Sequence, residues 1–183
     1  MKQCEQTKGQ SVLHHGISVK NYLFDLINHL RQDTPLKYQW KLPDWVSENK
    51  ELFLSSIPDD YTLKLYTIFH DCGKPFCLQI DEDGRRHFPN HAQASYETFK
   101  QHFDNEVAAD LILHDMDIHL LKSEGVDEFS KNPHALTLLL TGLSELHSNA
   151  QMFGGIESTS FKIKHKSISK RGKQIVNQIK NKK

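Results

Sequence analysis

An all-α fold is predicted by three features of the sequence. Apolar residues recur at helical spacing over several long stretches. Pro, Gly, Asp and Asn separate those stretches, and one short segment, 76–88, reads as a pair of strands. The chain has 183 residues, 37% hydrophobic and 25% charged, which is enough for one domain with a core of its own. No apolar run approaches the roughly 18–20 residues of a membrane span. Met1-Lys2-Gln3-Cys4 leads into no apolar segment, so no signal peptide is expected. Cys4, Cys72 and Cys77 are odd in number and lack zinc-finger spacing, which predicts reduced thiols and a cytoplasmic location.

The first helix is expected over 11–31, where Val12, His15, Val19, Tyr22, Leu23, Leu26, Ile27 and Leu30 form one stripe. His15 lies on that stripe and His14 does not. Residues 33–43 are polar and contain proline, as a loop does. Pro43-Asp44 opens a helix through about Ile57, and Pro58-Asp59-Asp60 caps the next one. That helix turns Leu63, Tyr66 and Phe69 inward and ends at His70-Asp71, where Gly73 and Pro75 stop it. Asp81-Glu82-Asp83-Gly84 marks a small hairpin within 76–88. Asn90 caps a helix opened by His91, with Ala92, Tyr96, Phe99 and Phe103 as its apolar face. After Asp104-Asn105 a further helix carries Val107, Leu111 and His114, with Asp115 directly behind. Residues 122–133 read as a polar loop. A strongly apolar helix then runs from His134 to about Met152 with Glu145 inside it, and Phe153-Gly154-Gly155 ends it. Residues 161–164 alternate like a short strand, and a basic helix follows.

Charge is uneven along the chain. Residues 161–183 hold nine Lys or Arg and no Asp or Glu, so the first 160 residues are markedly acidic. The division expected is a body over 1–160 and a basic C-terminal extension over 161–183. Such a tail suits an anionic partner, nucleic acid included, and equally a solvated terminus.

Twelve histidines occur, spread along the chain. Imidazole is the commonest metal-binding side chain, so this richness raises a metal hypothesis. His70-Asp71 places an imidazole and a carboxylate side by side at a helix end, where together they can grip one divalent cation. Lys74 follows as a mobile cation within reach of an anion held there. Read alone, the same stretch also fits an ordinary helix C-terminus. His15, His70, Asp71, His91, His114 and a late carboxylate are more ligands than one tetrahedral ion takes. They suit two ions about 3.5–4 Å apart. Such donors accept Mn, Fe, Co, Ni or Zn, with Mg at a carboxylate-rich site.

The order of these residues resembles the HD-domain metal-dependent phosphohydrolase superfamily over roughly residues 11–153. The matching residues are His15-Gly16-x-x-Val19, His70-Asp71-x-Gly73-Lys74-Pro75, Asn90-His91-Ala92 and His114. The run Phe88-Pro89-Asn90-His91-Ala92-Gln93-x-Ser95 also looks like the HD domain of bacterial tRNA nucleotidyltransferases. The resemblance implies a compact helical bundle around one or two divalent ions. It implies hydrolysis of a phosphomonoester or phosphodiester in a nucleotide or oligonucleotide, with metal-bound water as nucleophile. His15, His70 and Asp71 would hold the first ion, Asp71 would bridge to a second held by His91 and His114, and Lys74 would contact substrate phosphate. The family ends with an Asp in its last core helix, but the last Asp here is Asp127. Glu145 takes that place, with Asp115 as the alternative ligand. Two other readings use the same residues. One is a non-catalytic nucleotide- or nucleic-acid-binding HD module; the other is a metal-free domain whose histidines are core residues.

Overall fold

The computed structural model describes residues 1–7 and 9–182. It is mostly helical, with two small antiparallel hairpins. In chain order, β1 (Glu5–Thr7) pairs with β2 (Gln10–Ser11), and α1 spans Val12–Gln32. Helices α2 (Asp44–Glu48), α3 (Lys50–Leu54), α4 (Asp60–Phe69) and α5 (Lys74–Cys77) follow. Next come the hairpin of β3 (Gln79–Ile80) and β4 (Arg86–His87), then α6 (His91–Lys100), α7 (Glu106–Leu113) and α8 (Asp117–Leu120). A 3-10 turn at Ser123–Gly125 leads to α9 (Val126–Phe129) and α10 (Ala135–Ser148). A second, Ala150–Phe153, precedes α11 (Thr159–Asn181). Among the described residues no helix is long and apolar enough to cross a membrane.

The chain forms two compact units. The first comprises Met1–Lys20 and Pro58–Met116, the second Asn21–Ile57 and Asp117–Lys183.

In the first unit, Val12, Val19, Leu63, Tyr66, Phe99 and Leu111 are buried, as the helical stripes predict, whereas Val107, expected on the α7 stripe, is 38% exposed and Ile112 is buried instead. Asp59 caps α4 by accepting hydrogen bonds from the Tyr61 and Thr62 amides, and Asn105 caps α7 by accepting from Ala108. Asn90 does occupy the N-cap position of α6, but in a left-handed conformation (φ 53°) and without a side-chain cap. The hairpin expected within 76–88 is present, with Gln79 opposite His87 and Ile80 opposite Arg86. Two glycines allow close approach of backbones. A Cβ on Gly16 would collide with the Ile68 carbonyl, and one on Gly73 with the backbone at Ala94 and Ser95. The first contact sets α1 directly against the end of α4. The second sets the turn after α4 against α6.

In the second unit, Leu23, Leu26, Ile27, Val46, Phe53, Leu139 and Leu143 are buried. Segment 33–43 is the expected loop, and it is pinned firmly. The Asp25 carboxylate accepts from the Lys37 and Tyr38 amides and from Trp40 Nε1. The Lys41 amide donates to His147 Nε2 (3.0 Å), and the Lys41 carbonyl accepts from His165 Nε2 (2.6 Å). The helix expected over 44–57 is broken at Asn49, whose Nδ2 donates to the Trp45 carbonyl. The polar loop expected over 122–133 contains α9, because Val126 and Phe129, three residues apart, are both buried. The apolar helix after His134 stops at Ser148, and Gly154 in a left-handed conformation (φ 86°) ends the turn beyond it.

The strand expected at 161–164 is absent; those residues lie in α11. Ser158 caps it by accepting from the Phe161 amide. The two-residue alternation of Phe161 and Ile163 was too short to decide. The longer spacing of Phe161, Ile168, Ile175 and Val176, all buried, is helical. Through Phe161, Ile168, Ile175 and Val176, α11 contributes to the core of the second unit, with Gly172 making room for the Trp45 ring and Trp45 Nε1 donating to the Ser169 carbonyl.

Two tests follow from this packing. Gly16→Ala should lower the stability of the protein by about 1–3 kcal/mol in urea unfolding, although alanine favours helix, because the α1–α4 contact has no room for a methyl group. His147 is fully buried, and its Nδ1–H donates to the Leu143 carbonyl while Nε2 accepts from Lys41. Burial pushes its pKa down from 6.5 to about 4. The folded state thus holds a proton more weakly than the unfolded chain. Its contribution is complete above pH 6.5 and is lost as the pH falls toward 4. Unfolding measured across that window should show an acid loss on the order of 3 kcal/mol that His147→Gln abolishes.

Candidate metal centre

Asp71 follows the end of α4 and is buried, at 1% exposure. Histidines from separate elements of the first unit reach its carboxylate. His15 of α1 lies with Nε2 3.6 Å from Oδ2, and His70, at the C-cap of α4, with Nε2 3.3 Å from the same oxygen. His91, the first residue of α6, places Nε2 3.6 Å from Oδ1. The rings of His15 and His70 meet edge to face with centroids 5.1 Å apart.

The hydrogen bonds behind two of these rings assign their protons. His70 Nδ1 lies 2.8 Å from the Thr67 carbonyl, and His91 Nδ1 lies 3.0 Å from the Phe88 carbonyl. A carbonyl only accepts, so each Nδ1 carries a hydrogen and Nε2 is the ring nitrogen left facing Asp71. This is the orienting contact typical of metal-ligating histidines. Thr67 is itself held, its hydroxyl donating to the Leu63 carbonyl at 2.7 Å. Nitrogen and oxygen ligands about 2.0–2.2 Å from one tetrahedral ion are roughly 3.3–3.5 Å from each other. The separations around Asp71 are close to that spacing, so the donor set fits a divalent cation.

Lys74 departs from expectation. It is not a mobile surface cation but is buried, with Nζ 2.7 Å from Asp71 Oδ2, 2.8 Å from Gln6 Oε1 of β1 and 5.3 Å from the Phe88 ring centre. Burial alone would raise the pKa of Asp71. His70 and Lys74, with a smaller effect of His15, overcome it and hold the carboxyl well below the usual carboxylate range. These partners favour the charged carboxylate in a buried site.

The other expected ligands have their own contacts. His114 caps α7 with Nε2 3.7 Å from Asp110 Oδ1 of its own helix, and both side chains are partly exposed. Asp115 is buried and accepts a hydrogen bond from the Tyr66 hydroxyl. Glu145 belongs to α10 in the second unit, where His119 Nε2 lies 2.8 Å from Glu145 Oε2. His87 pairs with Asp81 on the exposed hairpin. The orienting role of the Thr67 and Phe88 carbonyls was not read from the sequence, and Gln6 was not singled out. Gln6 carries no local signal, since only the fold brings β1 to Lys74.

Ser95 links the centre to α6. Its hydroxyl accepts from the Gly73 amide (3.0 Å), and its carbonyl accepts from the Cys72 thiol (3.3 Å). Burial, with the Asp71 charge beside it, pushes the Cys72 thiol up to about 12. In the folded protein at pH 8, Cys72 should stay unmodified by a thiol reagent, as peptide mapping would show, and should react once the chain is unfolded.

No family model, no curated protein and no solved structure matches this chain.

Proposed function

We propose that the first unit carries a divalent metal centre of the HD-domain kind. In this reading the protein is a phosphohydrolase acting on a phosphomonoester or phosphodiester in a nucleotide or oligonucleotide. One observation carries the reading. Nε2 atoms of His15, His70 and His91, distant in sequence, converge within 3.3–3.6 Å of the single buried carboxylate of Asp71. The ordered motifs His15-Gly16, His70-Asp71-x-Gly73-Lys74 and Asn90-His91-Ala92 support it independently of the geometry.

His15, His70 and Asp71 would hold the ion, with His91 on the other carboxylate oxygen. A bound divalent ion would supply Lewis acidity, polarising water and drawing charge from a phosphoryl group. The Thr67 and Phe88 carbonyls keep His70 and His91 in the ligating tautomer. Asp71 supplies the permanent negative charge that draws a cation into a buried site. Lys74, within the same cluster, supplies a positive charge for the phosphoryl oxygens once it leaves Asp71.

The Lys74–Asp71 contact favours a second reading. An ammonium 2.7 Å from the carboxylate is already a counter-ion, so the cluster could serve as a metal-free nucleotide-binding module. For either reading, exposed Lys162, Lys166, Lys170 and Lys173 on α11 suit an anionic partner. Because α11 also buries Phe161 and Ile175, charge reversal at those lysines tests the partner more cleanly than removal of 161–183.

Elemental analysis of the purified protein and of Asp71→Ala, each loaded in turn with Mn, Fe, Co, Ni, Zn and Mg, decides between the two. Stoichiometric metal in the parent protein and at least a hundredfold weaker retention in the variant are expected. Metal-dependent phosphate release from nucleotides or oligonucleotides should then be lost with it. If no ion is retained by either protein, the hydrolase reading fails and the metal-free module stands.

A further inference from the structure

The second unit holds a pocket of about 350 Å³ lined by α8, α10 and α11. Ile118, Leu146 and Ile168 contribute apolar wall, and Gly142 keeps the wall open, since a Cβ there would run into the Ile118 side chain. Lys164 and Phe153 also line it, with Lys164 Nζ 5.2 Å from the Phe153 ring centre.

Two polar groups of this lining stand out. Arg171 Nε is a buried donor and Asn149 Oδ1 a buried acceptor, and neither has a hydrogen-bond partner among the described residues. Buried polar atoms are nearly always paired, and each one left alone is costly, so two beside the same pocket call for a ligand. The guanidinium is not loose. Its Nη1 donates to Gln174 Oε1 at 2.9 Å, which fixes its plane. The lining carboxylate, Glu145, is already engaged by His119 at 2.8 Å. The positive charges of Lys164 and Arg171 therefore dominate the pocket.

We propose that this pocket binds a phosphorylated small molecule with a planar apolar body, of the nucleoside monophosphate class. The phosphate would meet Arg171 and Lys164. A hydroxyl or N–H of the ligand would donate to Asn149 Oδ1, and the planar body would lie against Phe153 and the apolar wall. An anion alone leaves Asn149 unanswered, and an apolar molecule alone leaves Arg171 unanswered. This assignment does not rest on the metal reading, because every residue it uses belongs to the second unit.

Equilibrium dialysis against adenosine 5′-monophosphate, adenosine and inorganic phosphate, with chelator present, tests it. The monophosphate should bind, and the nucleoside and the phosphate should each bind at least tenfold more weakly. Arg171→Gln should weaken the monophosphate at least tenfold. Lys164→Ala, at an exposed position where folding is not at stake, should weaken it severalfold. Lys180→Gln, exposed on the same helix and outside the pocket, should leave it unchanged. The proposal is overturned if the monophosphate does not bind at millimolar concentration. It is equally overturned if Lys164→Ala binds as the parent does, or if Lys180→Gln is as damaging as Lys164→Ala. Chelator removes any metal-borne binding, so this result is independent of the metal content of the first unit.

Discussion

The carboxylate of Asp71 is the constraint on which the first unit turns. A negative charge at 1% exposure is tolerated only where positive or hydrogen-bonding groups surround it, and here His15, His70, His91 and Lys74 do so. Each of those groups is supplied by a different local device. α1 delivers His15, the end of α4 delivers His70, the first turn of α6 delivers His91, and the short α5 delivers Lys74. Removing the carboxylate would leave a buried ammonium without its partner, so the site and the stability of its surroundings are linked.

Backbone proximity is the second requirement. His15 and His70 can share a carboxylate because Gly16, the neighbour of one, lies on the carbonyl of Ile68, close to the other. Gly73 does the same for the turn and α6, and Ser95 fastens that contact with a hydrogen bond to the Gly73 amide. The glycines beside the histidines are as much part of the centre as the ligands. Their role is steric: they remove a side chain where two main chains must touch.

Much of this was legible in the sequence. The stripe through Val12, Val19, Leu23 and Leu26 marked α1, and Asp59 and Asn105 marked helix starts, because caps and periodicity are local signals. His15, His70, Asp71 and His91 could be picked out because each sits on a stripe or at a helix end. Long-range pairings were not legible. Nothing near Lys74 says that it reaches Gln6, 68 residues away, rather than facing water. Nothing near Glu145 announces His119 as its partner. The basic end of the chain misled for a different reason. Its lysines dominate the composition, while the few apolar residues that fix α11 in place are spread a full seven residues apart at Phe161, Ile168 and Ile175.

That helix changes what the basic end can be. On a loose tail, charges form a cloud that adapts to whatever approaches. On α11, Lys162, Lys166, Lys170 and Lys173 stand on a helix, three or four residues apart, so their Cα atoms are spaced by about 4.5–6 Å along the axis. Charges held on a helix have a fixed register. A polyanion whose charges repeat at a similar interval can meet several lysines at once without distorting, and one with a different interval cannot.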